Sequence, residues 1–196
     1  MKRSRNVRQL QQAKARFPKL KYTARFGALA AGASLLTGCG GEDAYIYKTV
    51  AECSYDNPGY NDNCEYAYRR ALAEWDQTAP RYNSQGDCEY DFGYQECRER
   101  RPYFIPIMAG FMMAENNLTE EEFDLDFDRP KPLGSSKRRG STGYGKWIGA
   151  QGGLYGDFYS SKTKVKRSIF SAPKSTGRVT SRGGFGRTIS SRSSGG

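Results

Sequence analysis

The clearest apolar pattern in the chain lies between Asp62 and Pro80. Apolar side chains recur there at intervals of three and four residues, which is the spacing of one face of an α-helix. They are Cys64, Ala67, Tyr68, Ala71, Leu72 and Trp75. Asp62 is suited to cap the helix with Glu65 three residues on, and Pro80 ends it because the residue before proline avoids the helical conformation. The pattern predicts an amphipathic helix with Trp75 in the core.

Two related segments, 47–64 and 82–97, border this helix. In each, a Thr or Ser stands three residues before an acid, a cysteine follows the acid, and a Gly turn leads to a second cysteine. A Thr or Ser three residues before an acid is typical of a helix N-terminus. The repeat therefore predicts two more short helices, each starting just before its first cysteine.

Residues 104–114 form a second apolar stretch, but this one has no polar face. It is too short to span a bilayer, which needs about 20 residues. Either it packs onto the helical domain or it is a methionine-rich docking surface, and contact with a membrane interface is a weaker alternative. The residues that would dock a partner are Phe104, Ile107, Met108, Phe111 and Met112. The acidic residues 120–128 that follow are expected to be solvated.

From Arg129 onward the chain is mostly Gly, Ser, Lys and Arg with scattered aromatic residues. Such segments bury too little apolar surface to fold, so residues 129–196 are predicted to be largely disordered. Residues 140–146 imitate a phosphate-binding loop, but Trp147 stands where that motif has Ser or Thr. Residues 182–187 resemble an RGG segment, which would bind RNA in the cytosol, but an exported protein rarely meets RNA.

The N-terminal region has the parts of a bacterial secretory signal. Residues 1–25 carry nine basic residues and no acid, and residues 26–36 are apolar but too short to span a membrane. Residues 36–39 (Leu-Thr-Gly-Cys) resemble a lipobox, which implies cleavage before Cys39 and a diacylglyceryl thioether on its sulfur. The alternative is an ordinary secreted protein whose cysteine merely falls near the cleavage site. Gly40, where Asp would indicate the inner membrane, favours the outer membrane.

The remaining cysteines are Cys53, Cys64, Cys88 and Cys97. An even number of cysteines in a small exported domain indicates two disulfide bonds, and these spacings do not match a zinc site. Three pairings are available. The repeat favours Cys53–Cys64 with Cys88–Cys97, and Cys53–Cys97 with Cys64–Cys88 is the rival that would join the two copies.

The formal charge of +10 is distributed unevenly. Residues 1–39 hold nine basic residues and no acid, residues 40–128 hold seven basic and twenty acidic residues, and residues 129–196 hold fifteen basic residues and one acid. Cleavage would remove most of the net positive charge, so no nucleic-acid partner is expected. The polarity favours an anionic envelope polymer, a protein partner, or pairing of residues 162–167 with the acidic residues 120–128.

The side chains that usually carry catalysis are scarce. The chain has no histidine, which is the commonest general base and a common metal ligand. It also lacks an activated nucleophile pattern and a pair of carboxylates at a catalytic spacing. No catalytic residue, metal site or cofactor is predicted.

Several motifs occur in one order along the chain. They are Thr37-Gly38-Cys39, the segments around Cys53, Cys64, Cys88 and Cys97, Thr78-Ala79-Pro80, residues 106–113 and residues 182–186. In this order and spacing the chain resembles the YgiB family of bacterial proteins over nearly its whole length. The resemblance implies no established activity. Relatives are often encoded near ATP-grasp proteins that resemble glutathionylspermidine synthases.

These patterns predict a small mainly-α, disulfide-stabilised domain with a long disordered Gly/Ser/Arg-rich C-terminal tail. The predicted parts are a signal peptide (1–38), a lipidated cysteine and tether (39–44), the helical domain (45–101), an apolar then acidic segment (102–128) and the basic tail (129–196). The predicted function is that of a non-enzymatic lipoprotein, anchored to a membrane by its lipid, whose basic tail binds anionic envelope components or its own acidic segment. The alternative is an accessory subunit that docks an enzyme system, such as an ATP-grasp pathway, through the methionine-rich segment.

Overall fold

A six-stranded antiparallel sheet is the centre of the fold. The computed structural model describes residues 41–116, 125–173 and 175–185, all within the compact unit Cys39–Gly196. The elements are, in order, β1 (Glu42–Tyr47), α1 (Val50–Asp56), α2 (Asn61–Thr78), α3 (Gln85–Phe92), β2 (Cys97–Arg100), β3 (Tyr103–Pro106), β4 (Gly110–Ala114), β5 (Lys131–Gly134), β6 (Lys146–Gly149), β7 (Leu154–Asp157), β8 (Lys162–Val165) and a 3₁₀ helix (Arg167–Phe170).

The strand order β7-β6-β5-β4-β1-β8 places the first strand beside the last. Ala44 of β1 pairs with Ala114 of β4 on one side and with Thr163 of β8 on the other. The edge strands β7 and β8 follow one another along the chain and approach each other at Gly156 and Thr163. The sheet is therefore nearly closed on itself. Strands β2 and β3 form a separate hairpin.

Each face of the sheet covers its own apolar cluster, because successive side chains of a strand point to opposite faces. Phe111 and Met113 of β4 join the cluster under the helices, which also contains Tyr47, Ala71 and Trp75. Met112 lies between them in sequence and joins the cluster on the other face. The other members of that second cluster are Ala44, Ile46, Ala114, Leu133, Trp147, Val165 and Phe170.

The predicted amphipathic helix is confirmed as α2. Its buried side chains include Cys64, Ala67, Ala71 and Trp75. The indole of Trp75 lies against Gly134 of β5, in space that a Cβ there would occupy, and its Nε1 donates to the carbonyl of Pro106 at 2.7 Å. The start differs from the prediction: α2 begins at Asn61 without a side-chain cap, so Asp62 is not its N-cap.

The two short helices of the repeat are also present, as α1 and α3. The hydroxyl of Thr49 accepts a hydrogen bond from the backbone N–H of Glu52 at 3.1 Å, and Ser84 does the same for Asp87 at 3.1 Å. Each bond satisfies one of the N–H groups that a helix start leaves without an intrahelical partner. The capping pattern in the sequence therefore located both helices.

The prediction of a mainly-α fold is wrong. Within the described residues α1, α2 and α3 accompany a sheet, and the fold is mostly β. Most of the strands have four or five residues, and β4 is buried at every position. A strand that is covered on both faces has no alternation of polar and apolar residues, so the sequence stretch 110–114 gave no strand signal.

The prediction of a disordered C-terminal tail is also wrong for the residues described. Residues 131–165 supply β5, β6, β7 and β8, and the 3₁₀ helix follows. Five of the scattered apolar residues of this region are nearly or fully buried: Leu133, Trp147, Ile148, Val165 and Phe170. Composition failed here because four of them, all but Ile148, complete the second cluster, which the first half of the chain leaves open. From Glu42 onward, the expected tether is the strand β1.

Substitutions of two neighbouring residues at the end of β8, Val165 in the strand and Lys166 just after it, test whether this region is folded. Val165 is buried and Lys166 is exposed. We expect Val165→Asn to lower the free energy of unfolding by about 2–3 kcal/mol, because it buries a polar amide in the second cluster. Lys166→Asn is the matched control and should change the free energy of unfolding by no more than about 0.5 kcal/mol. Urea titrations followed by tryptophan fluorescence measure both, and equal effects would contradict the folded C-terminal region.

Candidate functional site

Both cysteine pairs favoured by the repeat are disulfide-bonded. Cys53–Cys64 joins α1 to α2, and Cys88–Cys97 joins α3 to β2. The bonds therefore fasten the helical layer and the hairpin. Neither bond reaches the six-stranded sheet. Cys39 and the predicted signal lie outside the described residues.

The predicted docking residues lie mostly inside the fold. Met108, Phe111 and Met112 are buried, and Phe104 is half-buried. Ile107 alone among these five is mainly accessible, at 43 % exposure. Residues 104–114 were expected either to pack onto the domain or to form a docking surface. In the structure they pack within the domain as β3 and β4. These side chains do not form an exposed methionine-rich surface.

A cleft of about 300 Å³ lies between α2 and the segment that follows β8. Glu74 and Thr78 line it from α2, Lys131 from β5 and Tyr155 from β7, and residues 168–173 form much of the remaining wall. Burial raises the pKa of the Tyr155 hydroxyl, so this phenol stays neutral across the physiological range. The cleft combines apolar walls with a few polar groups, as small-molecule sites do, and has the size of a small one.

Lys131 and Glu74 are the charged groups of this cleft. The Nζ of Lys131 donates to both carboxylate oxygens of Glu74, at 3.0 and 2.9 Å. Lys131 is only 8 % exposed, and a charge that is removed from water needs such a partner to offset its lost hydration. The pair therefore ties α2 to β5, and its hydrogen-bonding groups are largely occupied by each other.

A second buried polar group holds the RGG-like segment. The carboxylate of Asp91 accepts from the hydroxyl of Tyr82 at 2.8 Å and from the backbone N–H of Gly183 at 2.9 Å. Burial, and next the negative charge of Asp91, raise the pKa of Tyr82. The ring of Phe185 packs on Phe92 at 4.9 Å between centroids. In the described part of this segment, residues 182–185, the motif has a structural role.

Basic residues of the last third pair with acids of the first half. The pairs are Lys131–Glu74, Lys137–Glu96, Lys162–Asp43, Lys164–Asp43, Arg167–Glu42 and Arg182–Asp87. Lys162 also lies 4.0 Å from Glu115. Among the described acids, those that pair with residues 162–167 are Glu42, Asp43 and Glu115, while residues 120–124 of the acidic segment expected from the sequence lie outside the described residues.

No helix in residues 41–116, 125–173 and 175–185 is long and apolar enough to cross a membrane. Over the same ranges, no three His, Cys, Asp or Glu side chains come together in a way that could hold a metal ion.

A family model described as "Protein of unknown function (DUF1190)" matches residues 41–196. The chain belongs to the DUF1190 family. The match begins at Gly41, two residues after Cys39, and covers the whole described fold. No solved structure matches the chain.

The sequence of this DUF1190 chain did not reveal the cleft. Glu74 is one acid among several on α2, and Lys131 belongs to a region that was predicted to be disordered. Only the pairing of β5 with β4 and the packing of α2 beside it bring these two charges together. The one sequence signal was an isolated Lys-Pro-Leu stretch at 131–133, and it is too short to predict a strand.

The buried pair gives a prediction for the stability of the DUF1190 fold. We expect Lys131→Met to lower the free energy of unfolding by about 2 kcal/mol, since it leaves the Glu74 carboxylate in the cleft without a cation. Adding Glu74→Gln to Lys131→Met should restore about 1 kcal/mol or more of the free energy of unfolding. A double-mutant cycle measures this restoration as the coupling energy of the pair. The exposed pair Lys137–Glu96 is the control, and Lys137→Met should cost less than about 1 kcal/mol. Equal losses at the two lysines would argue against a structural role for the cleft pair.

Asp43 gives a prediction about pH. Its hydrogen bond with Lys164 and the nearby Lys162 lower the pKa of this carboxyl below 3.8. A lowered pKa means that the stabilisation is present above the unfolded value and is lost as the pH falls through the folded one. NMR titration of the carboxyl carbon should show Lys164→Gln moving this pKa upward, while Lys166→Gln leaves it nearly unchanged. An unchanged value in Lys164→Gln would remove Lys164 as the cause.

Proposed function

We propose that this DUF1190 chain is a YgiB-like, non-enzymatic lipoprotein of the bacterial cell envelope. A lipid on Cys39 would hold it to a membrane, and Gly40 favours the periplasmic side of the outer membrane. Basic side chains of the folded body would bind anionic components of the envelope. The sequence of the leader and the point at which the fold begins both support the anchor.

The position of β1 carries the proposal. β1 starts at Glu42, three residues after Cys39, and Gly41 already packs against Lys164 and Val165 of β8. Three residues extend over at most about 11 Å. A lipid on Cys39 would therefore hold the folded body next to the bilayer surface, where envelope components are its nearest partners.

The chemistry of the cleft supports a role in binding over one in catalysis. The chain has no histidine, and the charged groups of the cleft, Lys131 and Glu74, satisfy each other. A general base or nucleophile must instead be within reach of a substrate and have a suitable pKa. The accessory-subunit alternative receives no support from residues 104–114, since most of its docking residues are buried.

Metabolic labelling tests the anchor. Cells that express the chain are grown with an alkyne-bearing palmitate, and the label is read on the purified protein together with its intact mass. We expect label on the wild type and none on Cys39→Ser, which should also leave the membrane fraction. The control is Cys88→Ser with Cys97→Ser, which removes one disulfide bond and should keep the label. Label retained by Cys39→Ser would overturn the proposed anchor.

A further inference from the structure

Two neighbouring arginines of the last third have no carboxylate partner. Most described Lys and Arg residues from Arg129 onward have a carboxylate within 4.0 Å. Among those described residues, the ones without a carboxylate partner are Arg138, Arg139, Lys166 and Arg178. Arg138 and Arg139 are neighbours on the loop between β5 and β6. This loop, beside α3, is therefore the place in the described last third where two such cations are adjacent along the chain.

Two guanidinium groups lie over one aromatic ring at this loop. The Cζ of Arg138 is 3.4 Å from the ring centroid of Tyr90, and its Nη1 donates to the Tyr90 carbonyl at 2.5 Å. The Cζ of Arg182 is 4.7 Å from the same centroid, and its Nε lies 3.3 Å from a carboxylate oxygen of Asp87. Tyr90 remains 37 % exposed. Arg139 is exposed, and its side chain has no partner among the described residues.

A second aromatic side chain lies beside the same loop. Tyr94 is 79 % exposed and follows α3 in the turn that contains Gly93. A Cβ at Gly93 would lie against the side chain of Lys137 and near the backbone N–H of Arg138, so the turn and the loop are adjacent. The backbone N–H of Gly93 donates to the backbone carbonyl of Glu89. The nearby acids are engaged: Glu96 pairs with Lys137, and Glu89 accepts from Gln85 and from the backbone of Gln95.

We propose that Tyr90, Tyr94, Arg138, Arg139 and Arg182 form a surface that binds a polyanionic glycan, and we call it the Tyr–Arg surface. A guanidinium group can bind a carboxylate, phosphate or sulfate with two parallel hydrogen bonds. The exposed ring of Tyr94 offers a flat apolar face to a sugar ring between those charges, while the ring of Tyr90 holds the guanidinium groups of Arg138 and Arg182 at the surface. This proposal rests on the proposed envelope function and names the class of its partner. An exported protein meets charged glycans, whereas nucleic acid, which fits similar side chains, is an outcome of the test.

Binding to two charged glycans tests the surface. The full chain is purified in detergent from the cells that produce it, and its affinity is measured for polygalacturonate, heparin, neutral dextran and single-stranded DNA. We expect binding to both charged glycans, no binding to dextran, and a loss of about tenfold or more on raising the salt from low to physiological concentration. Arg138→Gln with Arg139→Gln should weaken glycan binding about tenfold, because it removes the unmatched cations of the surface.

The matched control removes the same charge elsewhere. Lys166→Gln with Arg178→Gln deletes the other two described cations of the last third that have no carboxylate partner, and it should change glycan affinity less than about twofold. Since Arg138 also bonds the Tyr90 carbonyl, Arg139→Gln and Tyr94→Ala alone should each weaken binding several-fold with an unchanged unfolding midpoint. Equal losses in the two double variants would overturn the surface, and so would tighter binding of DNA or no binding of either charged glycan. Glycan binding by a chain that carries no label on Cys39 would leave the surface standing and overturn the anchor alone.

Discussion

The fold depends on the pairing of β1 with a strand from the far end of the chain. β1 lies between β4 and β8, and its second edge stays open until residues 162–165 return to it. The second apolar cluster has the same requirement, because Ala44 and Ile46 come from β1 while Val165 comes from β8 and Phe170 from the 3₁₀ helix after it. Closing so long a loop costs conformational entropy, and the buried apolar surface has to offset it. The C-terminal region is thus a structural part of the domain.

The disulfide bonds join the helices and the β2–β3 hairpin, and they do not join strands of the six-stranded sheet. Both close short loops, Cys53–Cys64 between the first two helices and Cys88–Cys97 between α3 and β2. On the chain-entropy model each contributes about 2–3 kcal/mol, mostly by restricting the unfolded state. The junction of β1 with β8 has no covalent link. Ladder hydrogen bonds, the second cluster and the ion pairs of Asp43 and Glu42 hold it.

The sequence predicted the features that depend on residues close to each other along the chain. The apolar face of α2, the caps Thr49 and Ser84, and the two cysteine loops all depend on residues within one or two helical turns, and each is present. The strands depend on partners far away. β4 has no polar face to reveal it, and β5 to β8 are hidden in a Gly- and Ser-rich composition in which only a few large apolar residues, such as Leu133 and Trp147, are buried. Lys131 and Glu74 became neighbours only through that distant pairing, so neither the sheet nor the cleft was predictable.

Because the last third of the chain packs beside the first half, the basic and acidic parts of the sequence lie next to each other in the fold. An acidic first half and a basic last third are typical of a disordered tail or of a nucleic-acid binder when they are considered separately. In this fold they are neighbours, and Lys131, Lys164 and Arg182 each find a carboxylate from the first half. Pairs at the surface contribute little stability individually, but they cancel most of the positive field of the last third. In the described last third, the adjacent Arg138 and Arg139 have no carboxylate partner, and their position beside Tyr90 and Tyr94 carries more information about an external anion than the total charge.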